Sequence, residues 1–332
     1  MSGDADQSFP TRYPEDRPRA ASIRSRVMLE VASELVSRGD FEPKQARVSF
    51  RRQGSPRWDM ALFGSDALSA ALEVADGETD FAIVNPATVI GRCIRGLPPF
   101  SEPVPVRAIA TIPSYDQLGI AVRTDVLDDR SLEELINGHP ALRMSLRGGR
   151  PDHSVHAVVD EMMSALGVSL ETVSDWGGDV VYHEGIPHQE PRASAIRSGA
   201  VDVVIDEGIY NWVELAIDSG FRFVSIPEEA LSRLESWGYR RSTIAAADYS
   251  TLADDVSTLD FSGFLVFTRE DVPDDLVTAF CESLEARKDR IPWQGGSELP
   301  LERMVSDQPD APVPIPFHPA ADRYWRSLGY LG

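Results

Sequence analysis

The chain has 332 residues, enough for two α/β lobes or one large domain. Its 53 acidic residues against 32 basic ones give a formal net charge of −21. That argues against non-specific nucleic-acid binding and against docking on anionic membranes, because both need basic surface. No apolar run approaches the ~18 residues of a membrane span. The N-terminus, MSGDADQSFPTRYPEDRPRA, has no apolar core of the secretory-signal kind. As written, the chain reads as cytoplasmic, or as periplasmic if a signal was removed. Cys93 and Cys281 are far apart and make no metal or redox motif.

Residues 1–21 read as a disordered leader. Ser22 opens a helix to Arg38, with Ile23, Val27, Val31 and Leu35 at helical spacing. RVSFR, 47–51, alternates as a strand. Gly64-Ser65 opens a second helix, and Asp80 to Val84 is a short strand ended by Asn85-Pro86. Strands Val106 to Ile112 and Leu118 to Arg123 flank the turn Pro113-Ser114-Tyr115. Asp128 to Leu135 reads as a capped helix, and Leu142 to Leu146 as a strand. The loop GGRPDHS leads into a long helix with Val155, Val158, Val159, Met162 and Leu166 on one face. Val180 to Tyr182 is a strand, followed by the polar loop His183 to Pro191. Two helical turns, Arg192 to Ser198, and a buried strand from Val201 end in Asp206-Glu207-Gly208. Helix 213–219, strand 221–226, helix 228–237, strand 261–267 and helix 274–287 follow, then a Pro-rich tail and a short helix, 320–328. Strands alternating with helices imply an α/β architecture with a mostly parallel sheet.

In open α/β sheets, polar groups just past the carboxyl ends of strands face the ligand crevice. By that rule the stretch Asp179 to Trp212 carries the most chemistry. His183, Glu184, His188 and Glu190 crowd one loop. With Asp206 and Glu207 nearby, a divalent metal can be held by N and O ligands, with His183, His188 and Glu190 as candidates. The spacing matches no metal motif, and a polar loop lining the cleft or facing solvent is the plainer reading. In an enzyme, His183, His188, Asp206 and Glu207 are the candidate catalytic groups, with a general base of raised pKa in the Asp206-Glu207 pair once the cleft closes. In a receptor the same carboxylates accept hydrogen bonds from the ligand. Tyr210 can form an aromatic wall, whereas Trp212 suits helix packing.

Two helix starts suit an anion. Gly64-Ser65 offers backbone N–H groups and a helix dipole, or Ser65 is only a cap. Gly149 lets backbone approach a ligand, Arg150 can pair with a carboxylate bidentately, and His153 and Ser154 stand at the next helix start. Asn85 and Tyr115 occupy crevice positions. There is no GxxxxGK[ST], no GxGxxG after a strand, no HExxH and no GxSxG. Nucleotide use, zinc peptidase chemistry and serine hydrolysis are therefore disfavoured.

The order of the pieces resembles the TAXI-type solute receptors of TRAP transporters. GSDALSAALEVADGETDFAIV resembles that family's first-lobe unit, VRAIATIPSYDQLGIAVRTDV its crossing between lobes, and AIRSGAVDVVIDEGIYNWVELA a second-lobe unit. FLVFTREDVPDDLVTAF and IPFHPAADRYWRSLGYL resemble its later strand–helix and its C-terminal ending. The resemblance covers 22–331. It implies a two-lobe periplasmic-binding-protein fold with two hinge-crossing strands. Residues 22–113 and 258–332 then form one lobe and 114–257 the other, with a small organic anion bound in the cleft and a TRAP membrane component as partner if the chain is exported. Two features depart from the family: no signal, and nothing before Ser22 like its first strand and Gly-rich turn. Related two-lobe folds serve cytoplasmic enzymes, so a decarboxylase or lyase acting on an aromatic or keto acid, with or without a metal, is the alternative. A cytoplasmic ligand sensor is a third.

Overall fold

The structure, a computed structural model, describes residues 20–38, 45–52, 60–65, 68–148, 153–291, 293–296 and 298–332. Residues 1–19 of the leader, and with them most of that expectation, lie outside the described residues, as do Gly149 and Arg150. The chain divides into two compact units, 1–44 and 45–332. The first contains the helix Ala20–Ser37, whose expected apolar stripe is open to solvent at Val27 and Val31. No described helix is long and apolar enough to cross a membrane.

The second unit is mixed α/β with two five-stranded sheets. Its strands are β1 (Gln45–Phe50), β2 (Met60–Ser65), β3 (Phe81–Val84), β4 (Val106–Ile112), β5 (Gly119–Arg123), β6 (Arg143–Arg147), β7 (Asp179–His183), β8 (Val203–Asp206), β9 (Phe221–Phe223), β10 (Arg241–Ile244), β11 (Val256–Leu259) and β12 (Phe264–Arg269). The first sheet runs β1-β2-β3-β12-β4, the second β7-β6-β8-β5-β9, and β10-β11 is a separate ribbon. This is the two-lobed α/β architecture expected from the sequence.

The expectation of a mostly parallel sheet needs correcting. Among the described strands only β2-β3, β6-β7 and β6-β8 pair in parallel. In each sheet the strand arriving from the other lobe, β5 or β12, is inserted antiparallel between two neighbours. The crossings at 113–118 and 260–263 lie side by side. Leu118 N donates to Leu259 O at 3.1 Å, Phe261 N to Asp116 O at 2.9 Å and Gly263 N to Ser114 O at 2.9 Å.

The helix Ser154–Ala165 links the lobes. Val155, Val158, Val159 and Met162 belong to the same core as Met144, Leu146, Val203 and Ile205 of the second sheet. Burying such side chains contributes about 1.5–3 kcal/mol each. The same helix presents buried Glu161 to the helix Gly91–Arg95, where Arg92 and Arg95 pair with it at 2.9 and 3.0 Å.

Candidate functional site

The polar groups gather where strand ends meet the crossings. Asn85, one residue past β3, donates through Nδ2 to Phe261 O at 3.2 Å and Gly263 O at 3.1 Å. Its own carbonyl accepts from Ser154 Oγ at the start of the linking helix. Asp116 in the first crossing accepts from Gly208 N, just past β8, through both carboxylate oxygens at 3.0 and 2.9 Å. Gly208 has φ +65, a left-handed turn that glycine adopts without steric cost. Strand ends from both sheets and both crossings thus form one hydrogen-bonded rim.

At its centre, β6 and β8 end in opposite charges. Asp206 is fully buried and paired with both Arg147 and Arg192. Although burial alone would raise its pKa, the Arg192 and Arg147 guanidiniums hold Asp206 below the usual carboxylate range. Arg192, also fully buried, donates to Ser145 Oγ, Ser145 O and Ile205 O, each at 3.0 Å. A buried guanidinium with its donors met in this way is structural.

Arg147 differs from Arg192. Besides Asp206, it reaches Glu207 Oε1 at 2.8 Å through Nη1, and the same Nη1 lies 3.1 Å from His153 Nε2. His153 caps the linking helix through Nδ1, which accepts from Val155 N at 3.2 Å. His183 stands in register with Arg147 on the next strand. Ser145 Oγ accepts from Arg192 Nε at 3.0 Å and lies 3.1 Å from His183 Nδ1. Arg192, Ser145 and His183 therefore form one continuous hydrogen-bonded chain. Burial, then the nearby Arg192 charge, pushes the His183 pKa below the ordinary value, so the ring is neutral and a donor. Gly148 is needed next to it, because a Cβ there would meet His183 C at 2.8 Å.

Asp116 is the proton-active group. Burial pushes its pKa up to about 7 and Glu207 adds to the rise, against the N–H bonds from Gln117 and Gly208.

Several expectations are overturned. Gly64 and Ser65 end β2 instead of opening a helix; the helix Ser69–Ala75 starts four residues later, with Leu68 as its cap. Pairing with β1 carries both residues into the strand, Gly64 opposite Ala46 and Ser65 opposite Gln45. Asp206 is not a base of raised pKa: the Arg192 and Arg147 guanidiniums hold it below the usual carboxylate range, and a raised carboxyl lies instead at Asp116. His183, His188 and Glu190 do not assemble; among the described residues no group of three metal-ligating side chains forms. His188 is exposed, and Glu190 is engaged by Arg197 at 2.8 Å and Ser194 N at 3.1 Å. Tyr115 and Tyr210 are mostly exposed, while Trp212 is buried with Nε1 on Glu207 O at 3.0 Å. Sequence reasoning missed Asp116, Arg147, Ser145 and Arg192. The strand-end rule applied to β6 would have named Arg147, the residue after Leu146.

No family model matches the chain, and no curated protein matches it. The chain is similar to solved structures at low identity. A protein from Bordetella bronchiseptica RB50 is 12% identical with a TM-score of 0.37; the match covers 68% of this chain and spans 59% of that protein. PhnD1 from Prochlorococcus marinus (MIT 9301), in complex with methylphosphonate, is 9% identical with a TM-score of 0.39 and coverage of 80% and 84%. A TctC solute binding protein from Polaromonas is 14% identical with a TM-score of 0.35 and coverage of 66% and 69%.

Proposed function

We propose that this chain binds a small organic anion at the rim where the two sheets meet the crossings, in the manner of a periplasmic-binding-protein-like receptor of TAXI type. The observation that carries the reading is Arg147: a guanidinium at a strand end, inside a rim tied to both lobes, with one carboxylate partner, Asp206, fully buried and the other, Glu207, partly exposed. Beside it stands the His183 imidazole, and Ser154 begins a helix whose first N–H groups favour negative charge. An acid group taken in here gains charge-assisted hydrogen bonds in a low-dielectric setting. If exported, the chain would deliver its ligand to a TRAP-type membrane component; in the cytoplasm it would serve as a sensor.

Asp116 favours a second reading. A carboxyl that protonates near 7 can hand a proton to the carbanion left when an aromatic or keto acid loses CO2. One experiment separates the two. The protein is incubated with a pool of small aliphatic and aromatic carboxylates, and bound and free compounds are followed by mass spectrometry. A compound retained unchanged, and lost in Arg147→Gln, supports the receptor. A compound consumed with CO2 release, and spared in Asp116→Asn, supports the enzyme. Retention unaffected by Arg147→Gln would sink the anion placement, since truncating a buried charge pair costs on the order of 2–5 kcal/mol.

A further inference from the structure

We propose that Glu161 is a two-position latch between the lobes: it clasps Arg92 and Arg95 while the lobes are closed, and takes the Tyr239 hydroxyl when they part. The latch works in the empty chain, so it stands apart from the anion-binding reading above.

The crossings are main-chain pairs and form the hinge. Close to them, Ser154 Oγ donates to Asn85 O. Two turns farther along the linking helix, Glu161 of the second lobe meets the helix Gly91–Arg95 of the first. Arg92 Nη1 lies 2.9 Å from Glu161 Oε1, and Arg95 Nη2 lies 3.0 Å from Oε2. Arg92 Nη1 also donates to Ala157 O at 3.0 Å, one turn before Glu161. The surfaces approach closely here, because a Cβ on Gly91 would stand 3.3 Å from Trp237 O. Ile90 and Val158 belong to one continuous apolar core, so parting is a swing at this contact and not a separation of the lobes.

Parting the clasp leaves the arginines with acceptors of their own lobe. Arg92 Nε keeps Pro98 O at 2.9 Å, and Arg95 Nε keeps Gly91 O at 3.1 Å. Glu161 has a substitute partner on its own side. Tyr239 follows the helix Glu228–Ser236, which packs on the linking helix. Its hydroxyl is buried and makes no hydrogen bond among the described residues. Such a group is costly unless another state of the protein uses it. Burial, then the Glu161 charge beside it, raises the Tyr239 pKa. The closed contact thus satisfies the arginines and leaves the hydroxyl idle, and the parted one does the reverse. Two alternative partner sets for one carboxylate make a contact with two discrete positions.

Thiol labelling tests this. Ala157 is 7% exposed and sits four residues before Glu161, on the same helix face. Ala157→Cys places a thiol under the clasp. Native Cys281, fully buried in the helix Asp274–Arg287, reports global unfolding. Reaction with a maleimide is followed at each cysteine by peptide mass spectrometry, in the full chain carrying Ala157→Cys alone, with Glu161→Gln, or with Tyr239→Phe. Glu161→Gln should speed labelling under the clasp about tenfold or more, because the closed position loses its charge pairs. Tyr239→Phe should slow it about fivefold, because the parted position loses a hydrogen bond. Cys281 should be unchanged in both. An unchanged rate under the clasp in Glu161→Gln, or an equal acceleration at Cys281, overturns the latch. Tyr239→Phe leaves the clasp intact and keeps the test alive should the glutamine variant misfold. An unchanged or faster rate in that variant overturns the proposal, since a hydroxyl that only supports the fold would not favour the parted position.

Discussion

His153 and His318 begin their helices in nearly the same way. Their backbones have φ −62, ψ 137 and φ −61, ψ 137, and each Nδ1 accepts from the N–H two residues on, at 3.2 Å. What differs is the other nitrogen. His318 Nε2 meets the main-chain carbonyl of Glu270 at 3.2 Å. One neutral tautomer, Nδ1 accepting and Nε2–H donating, satisfies both contacts. His153 Nε2 instead meets Arg147 Nη1 at 3.1 Å. A neutral imidazole has a single lone-pair nitrogen, so it accepts from Val155 N or from Arg147, not both. At His318 the cap and the distal contact cooperate; at His153 they compete. The same capping device thus makes a settled joint in one lobe and an adjustable one beside the candidate site.

The largest test of this contrast is Asp206. Asp206→Asn leaves Arg192 fully buried without a counter-charge and removes the anchor of Arg147. Breaking such a pair from one side costs about 3–5 kcal/mol, measurable as a lower urea midpoint. The contacts of His318 are instead with main-chain groups, the Glu270 carbonyl and the Ala320 N–H. A loss below about 1 kcal/mol would show that the cluster beside His153 is not the charged core described here.

The pH dependence of stability comes next. In the folded chain Asp116 protonates near 7, against an ordinary value of 3.8. Between those values the folded state holds a proton that the unfolded state has lost. Its stabilising contribution is therefore complete below the lower value and is lost as pH rises through about 7. His183, held below its ordinary 6.5, acts in the opposite sense: its contribution is present above that value and lost as pH falls. Asp116→Asn should remove the first slope and leave the second, so its stability rises relative to wild type from pH 4 to about 7. Parallel curves would mean that Asp116 titrates as an ordinary surface acid.

Much of the frame was legible in the sequence. The strand Val106–Ile112 and the helix Asp274–Arg287 have the bounds that the sequence implied, because each is set by local periodicity and by Pro or Asp at its edge. The site was only half legible. Asp206 stood out because a charge ends an apolar strand. Its partners did not, since Arg147 is 59 residues away and reaches it only through the β6-β8 register. The loop His183–Pro191 drew attention because chemistry-bearing residues crowd it in sequence. In space those side chains diverge: His183 turns inward to Ser145, while Glu190 faces Arg197 at the surface. Gly64-Ser65 misled because the apolar run Met60–Phe63 does not alternate, and the pairing with Ala46 and Gln45 that extends the strand is not visible in local sequence.

A direct contest between the histidines is next in size. His318→Ala loses a cap and leaves Glu270 O without its donor, about 1–2 kcal/mol together. His153→Ala loses the same cap but also ends the competition with Arg147, so its cost should be smaller. The asparagine variants, which keep a capping oxygen, should recover most of the loss at both positions. If His153→Ala proves the more destabilising, the two contacts at His153 are not in conflict.

The smallest effect is expected at Glu270. His318 relies on the backbone carbonyl of this residue, so no side-chain change there removes the acceptor. Glu270→Ala deletes only the pair with Arg107 at 2.7 Å, in which the Glu270 side chain is about half exposed. Pairs of that kind are worth about 0.2–1 kcal/mol. The variant should therefore melt close to wild type, and the imidazole resonances of His318 should keep their shifts. A substantial loss, or a change in the His318 tautomer, would mean that the side chain of Glu270 shares in orienting the ring. The settled joint would then rest on an ionisable partner, as the adjustable one does at Arg147, and the contrast between the two caps would be one of degree.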